Sequence, residues 1–419
     1  ICSSIQFLYE SFGFVSLETP AVELIDTLTS KGVVDKEIYS VRRLKAEDDD
    51  ESELGLHFDL TVPFARYVAQ HFNDIVFPFR RYQLQKVWRG ERPQKGRFRE
   101  FYQFDADIVA RDDLPIGCDS EILTLAGRAL RKIGIGDFVI SMNNRKLLLG
   151  VLDHLDVEAA NRGSVLRAID KLDKIGAEGV LRELQGEASL TSSQAEELLS
   201  YCAFVAPLSK APSQLSTLGI QSDLFVAGLE EVQATCNLLP RDLHSLVQCK
   251  LALARGLDYY TGLIFEIHLV DHPEFGSVSG GGRYEGLVSQ YLNKSVPGVG
   301  FSIGISRLME LIIDQSLREP GHQSNAEILV TVLSEDQRVK ALEFADILRE
   351  QSLAVEVFFK SPKLGKQIDY AEKKGIRYVA FFEASEGGQD NPITVKDLTT
   401  KEQFVIENPE EFSVTLKKR

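Results

Sequence analysis

The sequence predicts an α+β fold: an antiparallel sheet, a long helical stretch and, toward the C-terminal end, a small α/β domain with a parallel core. Three observations predict it. Residues 80–107, RRYQLQKVWRGERPQKGRFREFYQFDAD, form two alternating runs around a connection holding a Pro and a Gly, the pattern of an antiparallel hairpin. From about residue 151 to 246 the composition turns helical, with VLRAIDKLDKIG, EGVLRELQG and SQAEELLSYCAFV. After about residue 326, strand and helix patterns alternate, as they do where parallel strands are joined by crossover helices.

Composition narrows the class. A chain of 419 residues exceeds one ordinary core and divides into two or three domains. Its 44% hydrophobic and 26% charged residues are those of a globular protein. A net charge of −15 argues against a protein that coats nucleic acid at large, yet leaves room for a local basic footprint. Cys2, Cys118, Cys202, Cys236 and Cys249 are scattered, with no CxxC. They spell neither a zinc site nor a disulfide framework, which fits a reducing, cytoplasmic setting. No run reaches the roughly 18 apolar residues of a membrane span, so no membrane partner is expected. The chain opens at Ile1, not Met, and an initiator segment is expected upstream.

The elements follow in order. Residues 3–12 place Ile5, Leu8 and Phe12 at helical spacing behind a Ser N-cap, with Gly13 as the stop. An extended piece then runs to Pro20. Two strands, 37–44 and 55–62, flank the acidic run 46–53, whose six carboxylates read as a solvated loop. In the second of these, Phe58, Leu60 and Val62 alternate with His57, Asp59 and Thr61, and Pro63 opens a helix. Asp59 and Thr61 thereby share a polar face able to hold an ammonium group. In the hairpin, Tyr102, Phe104, Ala106 and Ile108 form an apolar face, and Phe101, Gln103, Asp105 and Asp107 the opposite one. Five basic residues lie between Arg89 and Arg99 of an acidic chain, which points to an anionic ligand more than to an ordinary solvated face.

Residues 118–132 have the apolar spacing of a helix closed by Gly134, followed by a strand at 138–142 and a helix at 143–155. The stretch 151–245 holds no chemistry-bearing constellation and is either an insertion between two parts of one sheet or a separate domain. Residues 251–262, LALARGLDYYTG, break a strand-like run with Arg255 and Gly256 beside two tyrosines. A buried arginine needs a partner, Asp258 or a ligand, because burying it alone costs several kcal/mol. The glycines of SVSGGGRYEG and of GVGFSIG miss the G-x-G-x-x-G spacing, and no G-x-x-x-x-G-K-[ST] exists, so neither a dinucleotide fold nor a P-loop is predicted. Around residues 319–326 the chain turns linker-like. Lys360, Lys363, Lys366, Lys373, Lys374 and Arg377 then crowd one part of the last domain.

These segments resemble the class II aminoacyl-tRNA synthetases. Residues 14–20 are similar to the end of motif 1, RGERPQKGRFREF to motif 2, and GVGFSIGISRLMEL to motif 3. FDLTVPFARY, ARGLDYYTG and SGGGRY resemble the histidyl branch of that family in particular. The resemblance implies a class II catalytic domain over 1–150 and 246–318 on a mixed, mainly antiparallel sheet, a helical insertion at 151–245, and an α/β anticodon-binding domain at 326–419. It implies L-histidine, ATP with Mg²⁺, and tRNA(His) as partners, a homodimer, and a histidyl-adenylate intermediate.

Two anions, a carboxylate and a triphosphate, must meet in such a reaction, so cations are the expected catalysts. By motif, Arg89 and Arg255 are the catalytic arginines at the α-phosphate. Arg307 serves the γ-phosphate, Glu91 the adenine amino group, and Phe101 stacks on the base. Asp59, Leu60, Thr61 and Gln103 belong to the amino-acid site, with the α-ammonium on Asp59, Thr61 and Gln103. Asp107 and Tyr260 belong to the imidazole and Tyr259 to the pocket wall. Arg92 and Gln94 are assigned to the acceptor end of the tRNA. No side chain is assigned to a metal. Two rivals share the fold: a catalytically idle regulatory paralogue and a tRNA-sensing module. The intact Arg89, Arg255 and Arg307, with a C-terminal domain, weigh against the first, and the intact ARGLDYYTG weighs against the second.

Overall fold

A computed structural model describes residues 1–29, 37–45, 53–92, 96–255, 259–317, 323–382 and 392–406. The chain forms two compact units, Ile1–Leu317 and Arg318–Arg419.

In the first unit the strands are β1 (Val15–Ser16), β2 (Val22–Leu24), β3 (Ser40–Val41), β4 (Leu54–Leu56), β5 (Phe79–Trp88), β6 (Glu100–Val109), β7 (Phe138–Asn144), β8 (Val205–Pro207), β9 (Val247–Lys250), β10 (Tyr260–Leu269), β11 (Ser277–Tyr284) and β12 (Gly298–Gly304). Nine of them make one sheet in the order β1-β5-β6-β12-β11-β10-β7-β9-β8. Only β1–β5 and β7–β9 pair in parallel; the other neighbours are antiparallel, as the sequence predicts. The strands β2, β4 and β3 form a separate small sheet.

The helices are α1 (Cys2–Ser11), α2 (Ile25–Thr29), α3 (Thr61–Gln70), α4 (Gly117–Ile133), α5 (Arg145–His154), α6 (Ala159–Ile169), α7 (Leu172–Gly186), α8 (Ser192–Cys202), α9 (Ala211–Leu215), α10 (Asp223–Leu238) and α11 (Ile305–Asp314). The helix α1 buries Ile5 and Tyr9, and Ile1, not a serine, occupies its N-cap. Along α4, Ile122, Leu125, Ala126, Ala129 and Ile133 recur at three- and four-residue steps and are buried. Each large one contributes roughly 1.5–3 kcal/mol by leaving water. Gly134 stops the helix in the left-handed conformation, its N–H donating to the Leu130 carbonyl.

The sheet separates two cores. On one face Phe104, Ala106 and Ile108 of β6 join Phe301 and Ile303 of β12 and the buried residues of α1 and α4. On the other, Phe64, Ala65 and Val68 of α3 pack with Tyr259, Tyr260, Tyr284, Leu287 and Val296. The 151–245 stretch is helical as expected, but it also supplies β8 to the sheet edge, and Val165, Leu184, Leu198 and Val232 belong to the first core. It is part of the same compact unit because its apolar faces close on that core.

Two local expectations fail. Residues 57–62 do not extend a strand: β4 ends at Leu56 and α3 starts at Thr61. Asp59 accepts the Val62 N–H at 3.0 Å, and this capping bond, with Pro63 inside the first helical turn, turns the chain into α3. Residues 251–255 are likewise irregular, the strand stopping at Lys250. In the stretch 37–44 only Ser40–Val41 is extended, and 46–52 of the acidic run lie outside the described residues.

The second unit is a five-stranded sheet in the order β14-β13-β15-β16-β17, from β13 (Ile328–Val330), β14 (Val355–Val357), β15 (Tyr378–Phe382), β16 (Ile393–Asp397) and β17 (Gln403–Ile406). Its first three strands are parallel and a hairpin closes it. The helix α12 (Arg338–Glu350) packs Phe344 and Leu348 on one face, and α13 (Leu364–Lys374) packs Ala371 on the other. Among the described residues, no helix is long and apolar enough to cross a membrane.

Candidate active site

The site is built on the sheet face under α3. On β6, Gln103, Asp105 and Asp107 project to one side. Across the ladder β5 sets Gln85, Gln83 and Arg81 against them, and β12 sets Gly304, Ser302 and Gly300. Next, β11 places Gly280 beside Ser302 and Gly282 beside Gly300, and β10 places Glu266 beside Gly280. Because side chains alternate, all of these share one face. Of these, Gln103, Asp105, Asp107, Ser302, Gly300 and Glu266 help floor a cleft of about 830 Å³ whose walls include Asp59, Thr61, Arg89, Arg255, Tyr259, Tyr260 and Arg307.

One end of the cleft is acidic. Asp59, Asp105 and Asp107 line it, and burial pushes all three carboxyls up, Asp105 to about 7. The buried Arg81 pairs with Asp107 Oδ2 at 2.7 Å, and the Tyr284 hydroxyl donates to Asp107 Oδ1 at 2.8 Å. Arg81 also donates to the Leu60 carbonyl at 3.2 Å and lies 4.3 Å from the Phe64 ring centre. Tyr259 and Tyr260 pack with ring centres 4.6 Å apart; burial raises both phenols, so they keep their protons and can donate.

The other end is basic. A contiguous cavity of about 250 Å³ is lined by Arg89, Arg97, Arg255 and Arg307 with Phe98 and Phe101. The guanidinium of Arg89 sits 4.3 Å from the Phe58 ring centre and 5.1 Å from that of Phe101, and its Nε donates to the Phe58 carbonyl at 3.2 Å. Burial lowers its affinity for its proton, a cation held ready for an anion. Arg307, at the start of α11, donates to the Gly96 carbonyl at 2.8 Å and to the Ser277 carbonyl at 2.6 Å. Arg255 has a left-handed φ of 48°. Its Nη1 donates to the Phe265 carbonyl at 3.0 Å, and its Nε lies 3.7 Å from Glu266. Burial works against the Arg255 charge, but Tyr260 and Glu266 outweigh it. The alternative partner, Asp258, lies outside the described residues.

Two glycines make this geometry fit. A Cβ on Gly280 would overlap Arg255 Nη1, and one on Gly300 would overlap Asp107 Oδ1. Gly280 and Gly300 therefore clear space for an arginine and a carboxylate.

The structure gathers Arg89, Glu91, Phe101, Gln103, Asp59, Thr61, Asp107, Tyr259, Tyr260, Arg255 and Arg307 around these two cavities. Glu91 there pairs with Arg97 at 3.3 Å. The Leu60 side chain is fully buried and off the cleft wall, since the turn into α3 points it into the core; its carbonyl holds Arg81 instead. Arg92 is exposed and off the wall, and Gln94 lies outside the described residues. The sequence assignment left out Asp105, Arg81, Tyr284, Glu266 and Arg97. Asp105 was reachable, because it alternates in phase with Gln103 and Asp107. Arg81, Tyr284 and Glu266 join only through cross-strand register and carry no local mark. Among the described residues no group of three His, Cys, Asp or Glu side chains could hold a metal ion. The basic end holds two carboxylates, Glu91, already paired with Arg97, and Glu266, and so sparse a donor set suits a hard cation bringing most of its oxygen ligands on phosphates.

Comparison with known proteins places the chain in a family. The family profile described as "Histidyl-tRNA synthetase" matches residues 1–308, and "Anticodon binding domain" matches 327–419. The histidine–tRNA ligase of Thermobifida fusca (strain YX) is 43% identical over 397 residues, 94% of this chain and 90% of that protein. That of Stenotrophomonas maltophilia (strain K279a) is 41% identical over 421 residues, 95% and 89%. The crystal structure of histidyl-tRNA synthetase from Nostoc sp. PCC 7120 superposes with a TM-score of 0.86 at 33% identity, covering 100% of this chain and 94% of that one. An ATP phosphoribosyltransferase regulatory subunit/histidyl-tRNA synthetase from Bacillus halodurans C, at 20% identity and a TM-score of 0.70, shares the fold. By profile, by identity over nearly its whole length and by fold, the chain belongs to the histidyl-tRNA synthetase family.

Proposed function

We propose that the chain attaches L-histidine to tRNA(His) using ATP, through histidyl-adenylate. The observation that carries this is the two-ended cleft, with buried carboxylates and tyrosines at one end and four arginines at the other. The acidic end suits the ammonium and imidazole of histidine, and the basic end suits a triphosphate. Between them the histidine carboxylate oxygen bonds to the α-phosphorus of ATP as the bond to pyrophosphate breaks. A terminal ribose hydroxyl of the tRNA then attacks the acyl carbon and AMP leaves.

Arg89 and Arg255 stabilise the charge that builds on the α-phosphate, and Arg307 holds the γ-phosphate side. Phe101 stacks on adenine, with Glu91 accepting from its amino group. Asp59, Thr61 and Gln103 receive the α-ammonium. Tyr260 and Asp107 address the imidazole, so the site rejects analogues lacking its nitrogens by ~10⁴-fold. Mg²⁺ would neutralise phosphate charge when bound, with Glu266 as its protein ligand. Arg92 and Gln94 serve the acceptor end of the tRNA. In the second unit the exposed Lys360, Lys363 and Lys366 suit anticodon phosphates; Lys374 and Arg377 are already paired with Glu356 and Asp397. A second copy of the chain pairs through the surface that includes the exposed Phe7, Val15 and Val22. The free cysteines suit a cytoplasmic setting.

The test is histidine-dependent exchange of pyrophosphate into ATP. Exchange with histidine alone among the amino acids, reduced about 10²–10³-fold in Arg255→Ala, is expected. Folded protein that exchanges nothing would move the assignment to an idle regulatory or tRNA-sensing paralogue.

A further inference from the structure

The geometry points to a residue beyond this assignment: we propose that Asp105, beside Gln103, is a further direct acceptor of the α-ammonium of the bound amino acid. The inference rests on the amino-acid site proposed above and sharpens it.

The acceptors at the acidic end are unequally used. Both Asp107 oxygens are engaged, one by Arg81 and one by Tyr284. Asp59 Oδ1 accepts the Val62 N–H. Asp105 is 2% exposed, yet its Oδ1 is buried without a hydrogen-bond partner, and Gln103 Oε1 is in the same condition. The two residues lie two apart on β6, on the cleft side, so both orphan oxygens belong to one patch of floor. A buried acceptor left unpaired costs about 1–3 kcal/mol, which a native site tolerates when a ligand fills it.

The charges facing Asp105 define that ligand. From β5 come Arg81 and, at its end, Arg89; from β6 itself comes Asp107; from the turn into α3 comes Asp59. Tyr9 of α1 is coupled to Asp105 from the opposite core, and Tyr259, Tyr260 and Tyr284 close the pocket as neutral phenols. Three carboxylates thus face two guanidiniums: Arg81, already committed to Asp107, and Arg89, held between Phe58 and Phe101 toward the basic end. The Ser302 hydroxyl, opposite Asp105 on β12, bears on its carboxylate, yet Asp105 Oδ1 and Gln103 Oε1 stay unpaired, and two such acceptors match a primary ammonium, which offers three donors and one charge. Without ligand, burial leaves the Asp105 carboxyl partly protonated at neutral pH. The incoming ammonium favours the carboxylate, so binding expels that proton.

Asp105→Asn, with Asp105→Ala as a second variant and thermal melts as the folding control, tests this. Histidine KM and ATP KM are read by pyrophosphate exchange between about pH 6 and 8. Proton release on histidine binding is read by calorimetry in two buffers of different ionisation enthalpy. The expected result at pH 8 is a histidine KM raised about tenfold or more in both variants, as for loss of a charged hydrogen bond. ATP KM and kcat stay within threefold. The variant-to-wild-type ratio shrinks toward pH 6, which cancels the titration of histidine itself, and the proton released near pH 7 by wild type is absent in the variants. A histidine KM within twofold of wild type at pH 8, or unchanged proton release, overturns the inference while exchange by wild type leaves the synthetase reading standing. Absence of exchange by wild type overturns that reading, and calorimetric histidine binding, lost or retained in Asp105→Asn, then decides for or against Asp105.

Discussion

Gly280→Ala should cripple adenylation while leaving the protein folded. The added methyl would overlap Arg255 Nη1 and come within 2.9 Å of both Arg255 Cζ and the Phe265 carbonyl oxygen. That carbonyl is the acceptor that now fixes the guanidinium, at 3.0 Å. The strand cannot move far, because Gly280 is paired on both sides, to Glu266 and to Ser302. The side chain of Arg255 therefore yields, displaced by about 1 Å or more and deprived of its anchor. Displacement of that size costs on the order of 10²-fold in a positioned reaction, and loss of a cation aimed at the developing charge costs about 10²–10³-fold. We expect kcat for exchange to fall by that amount, about 3–4 kcal/mol in the barrier. The local overpacking costs about 1–3 kcal/mol of stability, a loss separable by urea titration. Gly186→Ala is the control, since nothing lies within 4 Å of a Cβ there, and it should leave exchange unchanged. Gly280→Ala with kcat within threefold of wild type would refute the claim that this glycine exists to seat Arg255.

Two further outcomes follow from the buried charges. Arg81→Leu strands Asp107 and should cost about 3–5 kcal/mol at pH 8 by urea titration. The cost should fall toward pH 5, because an unpaired Asp107 then takes up a proton; equal losses at both values would contradict the pairing. Asp105→Asn should stabilise the ligand-free protein at pH 8. Its folded pKa of about 7 stands above the unfolded value of 3.8, so the native state binds the extra proton between them. Wild-type stability on this account is lost as pH rises through 7, by a ceiling of about 4 kcal/mol for about three units. The variant should escape that loss, and one no more stable than wild type at pH 8 would show that Asp105 ionises without penalty.

Legibility varied with the range of the forces involved. The hairpin of β5 and β6 was readable because period-two alternation puts Phe104, Ala106 and Ile108 on one face and Gln103, Asp105 and Asp107 on the other, whatever the neighbours. The helix α4 was readable from its apolar spacing and Gly134. The turn at Phe58–Asp59 was misread, because the same alternation fits both a strand and a helix entry over six residues. The Asp59 capping bond and Pro63 decided between them. Asp105 stood in plain view on the polar face but carried no motif to separate it from its neighbours.

The sequence by itself determined the mainly antiparallel sheet, the alternating strands and helices that follow it, and the types of residue that line the cleft, because propensity, period and motif act within a few residues of each other. Only the tertiary structure decided which of those residues are still open to a ligand. Arg81 reaches Asp107 across β5 and β6, Tyr284 reaches it from β11, and Gly280 and Gly300 clear the space between. Hydrogen-bond and charge satisfaction is a property of all the strands at once, fixed by register between distant segments; Tyr284 and Asp107 lie 177 residues apart. Asp107 and Asp105 look alike in the sequence; the fold engages both oxygens of the first and leaves a buried oxygen of the second unpaired.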